Sequence, residues 1–187
     1  DMMNNSPVGF GLVGAGMIAP LHAKALQASN SARLVAVADV SEERLVKFTD
    51  EFGGVGYTSL DDMLKNPDVQ VINILTPNNL HYDAVVKAAS AGKHILVEKP
   101  PAMSLREVDE MDAICREAGV KIGVVLQCRV RKSIQAIKAA LAEGRFGRVL
   151  HADTYMKWFR SEEYYQMDAW RSSRRSGAGV TIQHAFH

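Results

Sequence analysis

The chain has 187 residues, of which 47% are hydrophobic and 23% charged, and its formal net charge is +1. This composition is ordinary for a globular protein of one domain, or of one domain and part of a second, and the charge gives no reason to expect a nucleic-acid or membrane partner. With two cysteines, no recognisable signal peptide and no apolar run long enough to cross a bilayer, we expect a cytoplasmic protein without a disulfide framework.

Five short apolar runs predict buried β-strands. They are nearly continuous in apolar residues rather than alternating, which is typical of a parallel sheet covered on both faces. Helical patterns separate them, with Ser41 as an N-cap and Ser104–Glu107 as a capping box. This repeated strand–helix order predicts a doubly wound α/β sheet. The five runs are residues 8–13, 32–39, 69–75, 94–97 and 120–126.

The pattern changes near Leu126, where we expect the first domain, residues 1–126, to end. Residues 133–147 predict a helix, and residues 148–158 are rich in β-forming types. The polar, aromatic and basic segment that follows is typical of a functional loop. About 60 residues remain after the boundary, too few for a usual domain to close its sheet. We therefore expect residues 127–187 to be the incomplete start of a second domain.

The first predicted strand runs into GAGMIA at residues 14–19, which has the pattern GxGxxA. The first glycine permits the tight turn, and the second lets the backbone approach a pyrophosphate. The N-terminus of the next helix offers N–H groups to the phosphates. In this context the pattern predicts a dinucleotide site, and the alternative is a turn without a ligand. The predicted cofactor contacts in this turn are Gly14, Gly16, Met17 and Ile18.

Asp39 ends the second predicted strand, about 20 residues after the glycine turn, where dinucleotide-binding proteins place a ribose-binding acid. Its carboxylate can accept hydrogen bonds from the ribose hydroxyls and would repel a 2′-phosphate. The sequence therefore favours NAD over NADP as the cofactor. Arg44, on the next predicted helix, would soften that preference.

Two further signals follow the third and fourth strands, at the sheet edge where ligands of such folds collect. In the first, TPNNLH, the candidate cofactor contacts are Thr76, Pro77, Asn78 and His81, and turn chemistry with a helix cap is an equal alternative. In the second, EKPP, Glu98 and Lys99 directly follow a buried strand. Burial and a nearby positive nicotinamide would disfavour the charged form of such a lysine, although a surface salt bridge is the other interpretation.

Together these stretches resemble the Gfo/Idh/MocA family of NAD(P)-dependent oxidoreductases. The chain has GAGMIA, TPNNLH and EKP in the family's order, followed by QCR, AWR and SGAGVTIQHAFH. The resemblance implies an N-terminal Rossmann domain and a C-terminal α/β domain on an open, mostly antiparallel sheet. It implies oxidation or reduction of a hydroxyl carbon of a sugar, polyol or related compound. We also expect a homo-oligomer, a dimer or tetramer, formed through the second domain's sheet.

The same resemblance implies roles for individual residues. Lys99 is expected beside the reacting hydroxyl and the nicotinamide, and the following Pro100 is often cis in the family. A second-domain motif supplies an acid and, four positions later, a histidine; here these positions hold Gln183 and His187. Gln183 can position substrate but cannot take a proton. His187 is thus the first choice of general base, and Lys99 would stabilise the alkoxide, with the reverse assignment open. Further contacts near the nicotinamide or substrate are expected from Gln127, Trp170 and Arg171.

His184 and His187 have other interpretations. An HxxH pair can bind a metal, but no third ligand has suitable spacing, so we expect no metal site.

Two alternative functions keep the nicotinamide cleft. One is an enzyme that cleaves glycosides through transient oxidation, and the other is an NAD-dependent regulator without catalysis.

Overall fold

The computed structural model describes residues 6–177 and 179, and the chain divides into two units, Asp1–Val125 and Leu126–His187. Strands and helices alternate through the first unit. The strands are β1 (Val8–Val13), β2 (Ala32–Ala38), β3 (Val55–Tyr57), β4 (Val71–Ile74), β5 (His94–Glu98) and β6 (Ile122–Val125). The helices are α1 (Ala19–Gln27), α2 (Glu42–Phe52), α3 (Leu60–Leu64), α4 (His81–Ser90) and α5 (Leu105–Glu117).

All six strands belong to one parallel sheet in the order β3-β2-β1-β4-β5-β6. This is the strand order of a Rossmann sheet, and the direction of winding reverses between β1 and β4. Loops that leave these two strands in opposite directions open a crevice at their carboxyl ends, where ligands of open α/β sheets bind. The predicted doubly wound sheet is confirmed for this unit.

Neighbouring residues of each strand point to opposite faces of the sheet, and helices cover both faces. On one face, Leu12 and Val37 pack with apolar residues of α1 and α2. On the other, Val13 and Ile72 pack with residues of α3, α4 and α5. Burial on both faces explains why the strand sequences lack a polar alternation.

The five predicted strands are all present, and three of them, β2, β4 and β6, are shorter than predicted. Of these, β4 runs from Val71 to Ile74, since the N–H of Val69 donates to Asn66 in a turn before the ladder begins. The sixth strand, β3, was missed. It has three residues and two of them are exposed, so it carries no apolar run that would reveal it.

Serine side chains begin the helices as predicted. The Oγ of Ser41 accepts from the N–H of Arg44 at 3.3 Å, and the Oγ of Ser104 accepts from Glu107 at 3.2 Å. The Glu107 carboxylate accepts a hydrogen bond from the N–H of Met103, one residue before the N-cap, at 3.0 Å. The capping box therefore closes on the preceding residue rather than on Ser104.

The second unit contains helices α6 (Lys132–Ala142) and α7 (Glu162–Gln166), with short 3₁₀ turns at Gln127–Val130, Ala169–Ser172 and Arg174–Ser176. No strand is present among the described residues of this unit, including the β-rich segment 148–158. A strand forms only against a hydrogen-bonding partner, so residue type alone does not produce one. The antiparallel sheet implied by the family resemblance stays a prediction.

Candidate functional site

Gly14 and Gly16 meet different requirements in the loop after β1. Gly14 has a φ of +100°, and a Cβ there would lie 3.0 Å from the carbonyl oxygen of Leu75. Glycine satisfies both that backbone conformation and that close approach of the β4 loop. A Cβ at Gly16 would meet no atom within 4 Å. The backbone at Gly16 is thus accessible to a ligand that packs against the loop.

The same loop directs backbone donors toward this space. In the part of the chain that the structure describes, the N–H groups of Gly16 and Ile18 have no hydrogen-bond partner. They lie just before the N-terminus of α1, where the helix dipole is positive. Free donors and a helix N-terminus together form a site that suits a phosphate.

Asp39 fastens this loop to the end of β2. Its Oδ2 atom accepts from the N–H of Ala15 at 2.8 Å, and its Oδ1 atom accepts from the N–H of Ser41 at 2.9 Å. The side chain is therefore held beside the glycine loop at the carboxyl edge of the sheet. Arg44, which was expected to weaken the preference for NAD, lies in the first turn of the adjacent helix α2.

The loop after β4 adds a buried hydroxyl. The Oγ1 atom of Thr76 is inaccessible to solvent and has no hydrogen-bond partner among the described residues. Pro77 follows, and Asn78 begins a 3₁₀ turn with only 7% of its surface exposed. A buried hydroxyl without a partner is unfavourable, so Thr76 is suited to a polar ligand atom at this edge.

His81 lies between the loops after β4 and β5. Its imidazole is fully buried, with Nδ1 2.7 Å from the carbonyl oxygen of Pro100 and Nε2 2.8 Å from that of Thr76. Burial lowers the pKa of His81, although the two carbonyl acceptors and Glu98 act in the opposite direction. The geometry shows a ring that joins the loops after β4 and β5.

Glu98 ends β5 and is the centre of a second buried network. Its Oε1 atom lies 3.0 Å from Nε2 of His22 on α1, and its Oε2 atom accepts from the N–H of Lys99 at 3.1 Å. The other ring nitrogen of His22 lies 2.8 Å from the amide nitrogen of Asn73 on β4. Because an amide nitrogen donates, Nδ1 of His22 accepts and the proton on Nε2 faces Glu98.

This network affects the protonation of Glu98. Burial raises the pKa of the carboxyl group, but the hydrogen bonds from His22 and from the N–H of Lys99 outweigh burial. The pKa therefore lies below its ordinary value of 4.5, and the carboxylate is ionised at neutral pH. Lys99 is half-buried directly after it, and the Lys99–Pro100 peptide bond is cis, which the family resemblance implied.

Sequence reasoning missed His22 and Asn73 as parts of the site. Both had a detectable signal. His22 lies among Ala19, Ala23 and Leu26 on the buried side of α1, and Asn73 interrupts the apolar run of β4. A polar residue on an otherwise buried face needs a partner, which is a reason to search for one.

The remaining predicted residues lie in the second unit. Gln127 is exposed in the first 3₁₀ turn. Trp170 is half-buried and Arg171 is 5% exposed, with its Nε atom 3.2 Å from Asp168. Gln183, His184 and His187 lie outside the described residues.

Within residues 6–177 and 179, no three His, Cys, Asp or Glu side chains are grouped as metal ligands. None of the described helices is both long and apolar enough to cross a bilayer.

The sequence of the first unit matches a family model described as "Oxidoreductase family, NAD-binding Rossmann fold" over residues 8–126. The chain belongs to the Gfo/Idh/MocA family. Proteins of this family bind nicotinamide cofactors, and the glycine loop, Asp39 and the edge of the sheet described above lie within the matched residues.

Known Gfo/Idh/MocA proteins match most of this chain. It is 33% identical to the 1,5-anhydro-D-fructose reductase of Ensifer adhaerens over 95% of this chain and 53% of that protein. The solved WlbA dehydrogenase of Bordetella pertussis, in complex with NADH and UDP-GlcNAcA, is 34% identical with a TM-score of 0.88, over 96% of this chain and 56% of that one.

A third relative was solved with the other nicotinamide cofactor. A 3-ketoreductase from Actinomadura kijaniata, in complex with NADP, is 27% identical with a TM-score of 0.70, over 74% of this chain and 45% of that one. The chain thus spans about half the length of the relatives it matches. Because both cofactors occur among them, family membership alone does not choose between NAD and NADP.

The residues of the first unit fit a dinucleotide. The accessible backbone at Gly16 and the donors before α1 suit its pyrophosphate. The Asp39 carboxylate suits a ribose, and the buried hydroxyl of Thr76 can pair with a further polar atom. These four features meet at the carboxyl edge of β1, β2 and β4, where the Rossmann fold binds its cofactor.

Proposed function

We propose that the full-length protein transfers a hydride between a nicotinamide cofactor and a secondary alcohol carbon of a sugar, polyol or related compound. The observation that carries the proposal is the position of Lys99. It directly follows β5, on the edge of the sheet that also holds the glycine loop and Asp39. An amine at the mouth of a dinucleotide cleft is suited to a substrate hydroxyl beside the cofactor.

NAD is the preferred cofactor in this proposal. The carboxylate of Asp39 is held at the end of β2 by the N–H groups of Ala15 and Ser41. A carboxylate fixed there accepts from ribose hydroxyls and repels a 2′-phosphate. Gly14, Gly16, Met17 and Ile18 would hold the pyrophosphate.

The remaining chemistry is assigned to side chains of this chain. When bound, the cofactor supplies or accepts the hydride at C4 of its nicotinamide. Lys99 donates a hydrogen bond to the substrate oxygen and stabilises negative charge as it develops there. His187 takes the hydroxyl proton during oxidation and returns it during reduction, since the ordinary pKa of histidine lies near neutrality. Gln183 orients the substrate through its amide.

The relatives support a sugar-type substrate. One is an anhydrofructose reductase, and another was solved with UDP-GlcNAcA. Within the second unit, the guanidinium of Arg160 lies 3.8 Å above the ring of Trp158, and that of Arg171 lies 4.6 Å from the ring of Tyr164. Aromatic faces and fixed cations suit sugar rings and polar groups. We assign residues 127–187 to the start of the substrate domain.

The test is a screen of the full-length protein. NAD and NADP, oxidised and reduced, are each combined with a panel of sugars, inositols, amino sugars and nucleotide-linked sugars and their keto forms. Turnover is followed through absorbance of the reduced nicotinamide. We expect turnover with at least one sugar or polyol and a preference for NAD. Cofactor binding without turnover on any member of the panel would overturn the proposal.

A further inference from the structure

Lys99 lies between two anchored neighbours. Glu98, immediately before it, is bound by His22 of α1 through Oε1 at 3.0 Å. Pro100, immediately after it, has its carbonyl oxygen 2.7 Å from Nδ1 of His81 of α4. Two imidazoles from different helices, the partly buried His22 and the fully buried His81, therefore contact the segment that carries the lysine.

On the first side, both carboxylate oxygens of Glu98 have a hydrogen-bond partner. Its Oε1 atom faces His22, and its Oε2 atom accepts from the N–H of Lys99 at 3.1 Å, so the side chain folds back onto the next residue. His22 is itself oriented by Asn73, whose amide nitrogen lies 2.8 Å from Nδ1. The side chains of His22 and Glu98 are each 14% exposed, so little water competes for these bonds.

The second anchor joins the loop of the EKP motif to the loop after β4. His81 is fully buried and places Nε2 2.8 Å from the carbonyl oxygen of Thr76. The ring thus lies between the backbone carbonyls of Thr76 and Pro100, in two loops at the same edge of the sheet, and in its neutral form it donates to one of them. Such loops are otherwise the most mobile part of an α/β unit.

The helix that carries His22 also carries the glycine loop. One helical turn separates His22 from the N-terminus of α1, where the phosphates are expected. The bond from His22 to Glu98 therefore connects the phosphate loop to the segment that bears Lys99.

We propose that His22 and His81 are positioning residues that hold Lys99 in place from both sides. The effect of this positioning on turnover rests on the proposed function, in which Lys99 binds the substrate oxygen. Neither histidine touches the reacting atoms. Each acts on the backbone next to Lys99, and Asn73 supports the first of them.

A labelling experiment on the full-length protein tests the positioning directly and needs no turnover. Trace acetylation with an N-hydroxysuccinimide ester is quantified by peptide mass spectrometry as the ratio of modified Lys99 to modified Lys47, an exposed lysine of α2. We expect His22→Ala and His81→Ala each to raise this ratio roughly threefold or more, because the released segment exposes its amine. His94→Ala is the matched control, since His94 begins β5 at the opposite edge of the sheet.

Conservative replacements separate positioning from packing. Glutamine carries both a donor and an acceptor, so His22→Gln can pair with Glu98 and Asn73 together. The amide of His81→Gln has two N–H donors for the two carbonyls. We expect both glutamine variants to keep the labelling ratio within about twofold of the unaltered protein. If His22→Ala does not fold, Asn73→Ala replaces it, because Asn73 orients His22, and a smaller rise in the ratio is expected.

Kinetics provide the second measurement. With a substrate from the screen, we expect His22→Ala to lower kcat by roughly tenfold or more while the KM for NAD changes little. In a Lys99→Met background the same substitution should cause no further loss, because two changes to one unit are not additive. Unchanged labelling ratios in folded alanine variants, or equal losses with and without Lys99, would overturn the inference. A protein that turns over no sugar would refute the proposed function, and labelling would still decide this inference.

Discussion

The N–H of Ala15 donates to the carboxylate of Asp39 across 2.8 Å and joins the glycine loop after β1 to the end of β2. The other oxygen of that carboxylate accepts from Ser41 at the start of α2. Asp39 therefore fixes the loop, and in the proposed function its charge also faces the ribose of the cofactor. Asparagine keeps the shape of this side chain but removes its charge, and its single amide oxygen can accept from only one of the two N–H groups.

Asp39→Asn should weaken NAD binding and relax discrimination against NADP. The loss of a charge-assisted hydrogen bond is worth about 1.5–3 kcal/mol, which corresponds to roughly 10- to 100-fold in Kd. Removal of the carboxylate also removes its repulsion of a 2′-phosphate. Calorimetric titration with each cofactor measures both effects. Asp50→Asn, an exposed position on the same α2, is the control. An unaltered ratio of NAD to NADP affinity would be inconsistent with this role.

The two loop glycines should respond differently to alanine. Gly14→Ala forces a side chain into a φ of +100° and to 3.0 Å from the backbone of Leu75, so we expect a loss of about 1–3 kcal/mol in the free energy of unfolding. Gly16→Ala meets no atom within 4 Å and should leave stability within about 0.5 kcal/mol.

Gly16→Ala should nevertheless bind NAD at least about tenfold more weakly, because its methyl group occupies the surface that a pyrophosphate approaches. Thermal unfolding and NAD titration of the two variants, run side by side, distinguish a structural glycine from a ligand-facing one. A Gly16→Ala protein with unaltered NAD affinity would remove the phosphate assignment from this loop.

Lys99→Met and His187→Ala should each lower turnover by roughly 10²–10⁴-fold, which is the range for lost acid–base assistance. We expect the Kd for NAD to change little, since neither side chain is assigned to the nucleotide's phosphates or ribose. Stopped-flow and steady-state rates with NAD titration provide the measurement, and Lys47→Met on α2 is the matched surface control. Full activity in either active-site variant would refute its catalytic role.

The buried His81 and the partly buried Glu98 should make stability fall as the solution becomes acidic. Burial holds the pKa of His81 below 6.5, so the unfolded chain takes up that proton first, and stability declines below about pH 6.5. Burial raises the pKa of Glu98, but the hydrogen bond from His22 brings it below 4.5. The stability from its ionised form is therefore complete above about pH 4.5 and is lost as pH falls through the folded pKa.

Urea unfolding at several pH values separates these two windows. Glu98→Gln should weaken the dependence below about pH 4.5 and keep the upper window. His81→Gln should remove the upper window and keep the lower one. A free energy of unfolding that stayed constant from about pH 7 to about pH 4 would show that neither group is perturbed in the stated direction.

Much of the first unit was predictable because its signals are local. A buried parallel strand needs a continuous apolar run, and a helix start needs a capping side chain within three residues, as at Ser41. The glycine loop was recognisable for the same reason. Gly14 permits the positive φ of the turn and Gly16 leaves the backbone accessible, and both lie within a few residues of each other. The strand β3 was missed because three residues, two of them exposed, carry no such pattern.

The contacts around Lys99 were decided only by the tertiary structure. His22 and Glu98 are 76 positions apart, and His22 and Asn73 are 51 apart, so no periodicity in the chain relates them. The sequence determined which residues are able to bind a phosphate, a ribose or a proton. The winding of the sheet determined which of them meet, because parallel strands end at one edge and bring distant loops into hydrogen-bonding range.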